Sequence, residues 1–298
     1  MDFTRRQVLQ AMAVAAAGAV LPTQARAGAP IVAYKGKQLE TVKKVVESLG
    51  GMGRFVSKGD KVVIKPNMGF AVPPLRAATA DPNVVRVLAI MALEAGAKSV
   101  QVLDNPVHPA IACAARNGYE EVLGKLDDVH VKLLKDARYF AEVVIPRGKQ
   151  LKKAQVMRPI LECDCLINVP VAKSHGGALV SFSLKNWMGA VKNRRTWHAD
   201  MDLHQAIADF ATYIQPKLII LDATRALTTG GPGGPGEIKE LFTIIGGTDH
   251  VAIDSVAVQL AKWNGRALKP QDVPHIRLAA EAGVGTIPTA WIPILTVA

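Results

Sequence analysis

The chain has 298 residues, of which 49% are hydrophobic and only 5% aromatic, and its formal net charge is +11 at pH 7. Such a length holds one large α/β domain or two closely packed ones with ample core, and the basic balance favours anionic partners. No basic stretch is interleaved with aromatics, which argues against nucleic acid as a partner. After the first 27 residues no apolar run approaches the roughly 20 residues a membrane span needs, so no stable span is expected.

The chain opens with Thr4-Arg5-Arg6-Gln7-Val8-Leu9, a twin-arginine pattern. A short apolar stretch, Ala11 to Leu21, and a small-residue cleavage site, Ala25-Arg26-Ala27, complete an export signal over residues 1–27. The expected partner during export is the twin-arginine translocase, which moves folded chains. The mature protein then starts near Gly28 and works in the periplasm or otherwise outside the cytoplasm.

The body alternates helical and strand-like runs. Gln38 to Leu49 reads as an amphipathic helix stopped by Gly50-Gly51, and Lys61 to Lys65 as a strand running into Pro66-Asn67. Asp81 caps a helix with Pro82 at its first position and Gly96 after its end; Ser99 to Leu103 follows as a strand ending at Asp104. Residues 105–163 are less regular, with short helices near Ala110–Asn117 and Tyr119–Leu126 and several short strands, and form a candidate subdomain or a mixed part of the sheet. Leu166–Val169 is a strand, Ser181–Val191 and Leu203–Ile214 are helices, Lys217–Leu221 is an apolar strand ending at Asp222, and Leu241–Ile245 is another. Asp249 caps a helix over 250–262, and a last helix covers 273–282. The expected architecture is a single α/β domain over 28–298, a central mixed, largely parallel sheet with helices on both faces.

Cys113, Cys163 and Cys165 are too few for the four-cysteine ligand run of a ferredoxin. In an oxidising compartment they allow one disulfide, Cys113 with Cys163 or Cys165. Cys163-x-Cys165 also reads as two small apolar residues on a buried strand.

Chemistry-bearing residues gather after strands: Asn67, Asp104, Lys173 with His175, and Asp222. In an open α/β sheet the carboxyl ends of the strands form the ligand crevice. The densest segment runs from Lys173-Ser174-His175-Gly176-Gly177 to Ser183-Leu184-Lys185-Asn186, a Gly-bearing loop feeding a helix whose start suits an anion. His175 is the best single candidate for proton transfer or metal ligation. His198-Ala199-Asp200-Met201-Asp202-Leu203-His204 holds four potential ligands in no familiar metal spacing, and reads more readily as a polar loop capping the helix at 203. Asp254 shares its helix face with Val251, Ala257 and Val258, where a carboxylate needs a cation or a metal. The loop Thr229–Gly236 is able to wrap an anion with the backbone of Gly233 and Gly234, or to act as a lid. It matches neither a Walker loop nor a dinucleotide fingerprint, and the chain lacks G-x-S-x-G and H-E-x-x-H.

Three blocks then carry a family resemblance. The first is Lys65-Pro66-Asn67 with Thr79-x-Asp81-Pro82 and the strand from Gly96 to Asp104. The second is Pro170-x-x-Lys173-x-His175, Ser183-Leu184-Lys185-Asn186-x-x-Gly189 and His198. The third is Asp222-Ala223, Gly233-Gly234-Pro235 and Asp249-x-x-Ala252-x-Asp254. Together they resemble the DUF362 family over about 60–265. The resemblance implies that Lys65, Asn67, Asp104, Lys173, His175, Lys185, Asn186, His198, Asp222 and Asp254 are family positions. Many relatives carry ferredoxin-type iron–sulfur segments; this chain has none, which argues against a cluster within it.

The expected function is an exported enzyme acting on a small anionic substrate. His175, Lys173 and Lys185 would be catalytic, and Lys65, Asn67, Ser183, Asn186, Gly233 and Gly234 would bind the anion. Asp104, His198, Asp222 and Asp254 would be ligands for a divalent metal, should the site hold one. The alternative is a non-catalytic cofactor-binding or maturation protein in a periplasmic redox pathway.

Overall fold

The computed structural model describes residues 30–297; the export signal expected at residues 1–27 lies outside the described residues. Strand β1 (Ile31–Lys35) leads into helix α1 (Gln38–Ser48), which buries Val42, Val45 and Val46 at helical spacing. β2 (Lys61–Pro66), α2 (Pro82–Glu94) and β3 (Ser99–Asp104) form a strand–helix–strand unit. The Asp81 carboxylate accepts the Asn83 N–H at the start of α2, with Pro82 in the position where a missing N–H costs nothing.

Short helices α3 (Ala110–Arg116) and α4 (Tyr119–Leu123) precede β4 (Val129–Leu133), which joins the far edge of the main sheet. β5 (Phe140–Val144) and β6 (Lys153–Met157) pair with each other in a separate antiparallel ribbon, with an isolated bridge from Val156 to Val191. Next come α5 (Arg158–Glu162), β7 (Cys165–Val169), β8 (Val171–His175) and β9 (Leu179–Ser181). Helices α6 (Ser183–Asn186), α7 (Arg195–Ala199) and α8 (Leu203–Ala211) follow. Two ten-residue strands, β10 (Leu218–Leu227) and β11 (Ile238–Gly247), precede α9 (His250–Val258), α10 (Pro274–Glu281) and β12 (Ile294–Thr296).

The main sheet runs β12-β1-β11-β10-β7-β2-β3-β4, with β8 and β9 attached to β10. From β10 through β7, β2 and β3 to β4 every pair is parallel, while β11 is antiparallel to both β10 and β1. The fold is therefore α/β with a mixed, mostly parallel sheet. Because side chains alternate across a strand, Val62, Ile64, Ile167 and Ile220 pack under α1 and α2, whereas Val63, Leu166, Ile219 and Leu221 pack under α8, α9 and α10. Both faces are covered, as a parallel sheet requires.

Three sequence expectations change. The helix read over 181–191 is one turn, α6, continued by a tighter turn at Trp187–Ala190. Lys173 and His175 stand on strand β8, not in a loop. The third change concerns the cysteines, all three of which are free thiols. Cys165 opens β7 at one end of the sheet, while Cys113 lies on the helix beyond the opposite, carboxyl end of β3, with β2 and β3 between them.

Candidate functional site

β2, β3 and β7 are parallel neighbours, so their carboxyl ends share one edge. Lys65, at the end of β2, lies in register with Asn168 of β7 and faces the same side as Val63. Its ammonium is buried and meets the Asp104 carboxylate at 2.9 Å. It also donates to the Pro66 carbonyl at 2.7 Å and to Asn186 Oδ1 at 3.2 Å. The second Asp104 oxygen accepts the Met68 N–H at 2.9 Å, so this carboxylate has little left to offer another ligand. Gly189 crosses directly over the ion pair: a Cβ there would fall on Asp104 Oδ1 and Lys65 Nζ. The glycine is thus a packing necessity.

Asn186, on α6, ties the floor together. Its amide donates to the Lys65 carbonyl and to Asn168 Oδ1, and its oxygen accepts from Lys65 and Asn67. Lys173 enters from β8, donating to Asn67 Oδ1 at 3.2 Å and to the Ala78 carbonyl at 2.5 Å, with its ammonium 4.3 Å from the centre of the Phe70 ring. Burial, then the nearby Lys185, pulls its pKa well below the usual lysine value.

Around these groups lies a cavity of about 320 Å³, reached also by Lys185, His175, Arg194 and His198. Lys65, Lys173, Lys185, Arg194 and Arg195 line it against one carboxylate, Asp104, which Lys65 already occupies. Arg194 is held in place through the carbonyls of Asn105 and Pro106. Among the described residues Lys185 has no hydrogen-bond acceptor and no ion pair. Burial, and secondly the Arg194 guanidinium, pulls its pKa down to about 7, so at neutral pH its amine exists in both forms.

His175 has a defined tautomer. Its Nδ1 accepts the N–H groups of Gly177 and Ala178 at 3.1 and 3.0 Å, which puts the ring proton on Nε2. Burial first, then Lys185 and His198, holds its pKa down at about 2. The imidazole is therefore a neutral donor. Neither nitrogen offers a free lone pair, so the geometry suits it to polarising a bound group better than to accepting a proton or holding a metal.

The four expected metal ligands are not brought together. Asp104 is committed to Lys65; His198 stacks on His175 with ring centres 5.8 Å apart. Asp222 does not end a strand, because β10 continues through it to Leu227, and its oxygens accept from Thr224 and from the Asp81 N–H. Asp254 lies under α6, accepting the Ser183 N–H, the Ser183 hydroxyl and the Leu184 N–H at 2.8, 2.5 and 3.1 Å. Among the described residues no group of three or more His, Cys, Asp or Glu side chains is arranged to hold a metal ion. Ser183 is buried in this cap, turned away from the cavity, and Gly233 and Gly234 line a neighbouring cleft. Asp202 caps α8, the second reading of the His198–His204 run.

Arg194, Asn105, Phe70 and Asn168 were not among the expected site residues. Asn105 follows the expected Asp104 directly, and Arg194-Arg195 precedes His198; both were readable as neighbours of expected positions. Phe70 and Asn168 carry no signal of their own, one an aromatic after a glycine, the other a polar residue inside an apolar strand.

The chain is similar to the thylakoid-associated protein sll1697 of Synechocystis sp., at 29% identity over 86% of this chain and 77% of the relative. Among solved structures, the lactate racemase apoprotein of Thermoanaerobacterium thermosaccharolyticum aligns over 79% of this chain and 58% of its own, with 14% identity and a TM-score of 0.47. A Thermotoga maritima protein aligns over 83% of this chain and 49% of its own, at 14% identity and a TM-score of 0.40. This chain thus spans about half the length of those two structures. A family model described as a domain of unknown function matches residues 62–259, which contain the whole Lys65–Asp104–Lys173–Lys185 cavity, and the chain belongs to that family, DUF362.

Proposed function

We propose that the mature chain is an exported enzyme that binds a small carboxylate-bearing substrate and transfers a proton on it, with the Lys185 amine as the acid–base group. The observation that carries this reading is the Lys185 side chain: buried in the cavity, without an acceptor, and held near a pKa of 7. A general base works best with a pKa close to the working pH. Lys65, paired with Asp104, and Arg194 supply the positive field for the substrate anion and for charge that develops as a proton leaves carbon. His175 donates from Nε2 to the oxygen that gains charge, and remains neutral throughout. The cavity volume sits at the small end of the range for ligand sites, about 300–1,000 Å³.

The test is deuterium exchange at the carbon next to the carboxylate, followed by NMR in D2O over a panel of small 2-substituted carboxylates. Wild type should exchange at least one of them, and Lys185→Gln should lose about 10²- to 10⁴-fold in rate. His175→Gln, which keeps a donor, should retain more activity than His175→Ala. A Lys185 amine titrating at the ordinary 10.5 would falsify the assignment.

A further inference from the structure

The main sheet ends at β4, whose outer edge pairs with no strand among the described residues. Its inner edge is fixed by the ladder to β3, where the Leu134 N–H meets the Asp104 carbonyl and the Asp128 carbonyl meets the Val100 N–H. Successive residues of a strand turn their backbone groups to opposite sides. The even-numbered residues of β4 therefore bond β3, and Val129, Val131 and Leu133 aim their N–H and C=O groups outward. Among the described residues only one of these outward groups has a partner, the Val129 N–H at 3.4 Å from the Leu126 carbonyl.

The side chains of the same three residues face the helical side of the sheet. Val131 and Leu133 form one wall of an apolar cleft of about 220 Å³, and Ala110, Ile111 and Ala114 of α3 another. Ile111 stands at this cleft with 87% of its surface exposed. Asn117 also lines it, and its buried Nδ2 has no acceptor among the described residues. An unpaired strand edge beside an apolar cleft is a template for another strand.

Charge says which strand. Residues 120–128, leading into β4, hold four acidic residues against Lys125. Residues 132–138, at its end and beyond, hold three basic residues against Asp136. A strand that is acidic at its start and basic at its end complements an antiparallel copy of itself, because each acidic end then lies beside a basic one. The backbone agrees. With a twofold axis at Val131, Val131 exchanges both hydrogen bonds with its counterpart and Leu133 faces Val129, while Lys132 faces His130 and not a second Lys132.

We infer that two copies of the chain join antiparallel through β4. The pair forms one continuous sheet across a twofold axis, with the two clefts flanking the seam and Ile111 of each copy withdrawn from water.

Sedimentation equilibrium of the purified chain over a wide range of concentration tests it. Wild type should approach twice the chain mass as concentration rises, and Ile111→Asp, a change at an exposed position, should weaken the dimer about tenfold or more. Glu121→Lys/Asp127→Lys and Lys132→Glu/Lys135→Glu, all at exposed positions, should each stay monomeric, because like charges then meet across the seam. An equimolar mixture of these two double variants should recover the dimer. A wild-type chain that is monomeric at every concentration overturns the inference and leaves the cleft to a different chain or a small apolar ligand. A dimer that persists in all three variants lies on another face and overturns it as well, as does a mixture that stays monomeric.

Discussion

A lysine buried without an acceptor either recruits an anion or gives up its proton. The contrast within one cavity makes the point: Lys65 has Asp104, Lys173 has Asn67, the Ala78 carbonyl and a ring face, and Lys185 has no acceptor among the described residues. The consequence for stability has a definite sign. Between about pH 7 and 10.5 the unfolded chain keeps the Lys185 proton and the folded chain does not, so this residue makes stability rise with pH across that window; below pH 7 its penalty is constant. Lys185→Met should therefore be more stable than wild type at pH 6, with the difference shrinking toward pH 10, as urea unfolding at a series of pH values will read. Parallel pH profiles for the two proteins would contradict a pKa near 7. Much of this residue-level chemistry could be seen in advance, since Lys65, Asn67 and Asp104 stand where strands end. The tautomer of His175 could not, because it depends on two backbone N–H groups in the hairpin that follows it.

At the scale of elements, α6 is the critical piece: a single helical turn that carries Lys185 and Asn186 and is too short to persist on its own. Asp254, from α9, holds its first turn by three hydrogen bonds. Burial raises the Asp254 pKa to about 7 while bonds from Ser183 and Leu184 oppose that rise. Asp254→Ala should cost about 2–4 kcal/mol, the combined loss of a cap and of buried bonds, and should weaken anion binding because Lys185 shifts with the turn. Asp254→Asn, which keeps one oxygen, should fall between the two. Denaturant unfolding and anion titration measure both effects, and a cost below about 0.5 kcal/mol would remove the capping role. The sequence placed Asp254 correctly on a helix and facing apolar neighbours. Its partner was hidden because the cap joins residues 71 positions apart. Asp222 misled for a related reason: a carboxylate satisfied by Thr224 and Asp81 sits comfortably inside a buried strand, so the apolar run seemed to end where β10 in fact continues.

On the scale of the whole molecule, the alternation of strands and helices, the Asp81–Pro82 helix start and the parallel β2–β3 pair were readable from local pattern alone. The attachment of β8 and β9 to β10 was not, since it depends on contacts between distant segments. No helix among the described residues is long and apolar enough to cross a membrane. The proposed export of the folded chain predicts that Arg5→Lys/Arg6→Lys blocks transport: the full-length protein should accumulate in the cytoplasm while wild type appears outside it as the mature form. Fractionation and mass determination of the two species decide it, and unchanged export of the variant would contradict a twin-arginine route.

The three free thiols bear on how the molecule opens. Cys113 and Cys165 are buried at opposite ends of the sheet, and burial pushes Cys163 up to about 11 and Cys165 up to about 12. Each is therefore a poor nucleophile in the folded chain and an ordinary one once released. Labelling by a thiol reagent becomes a clock for local opening. Equal rates at Cys113 and Cys165 would mean that both ends of the sheet come apart in one event, and a faster rate at Cys113 would mean that the α3 edge frays first while β7, in the middle of the parallel strands, stays closed.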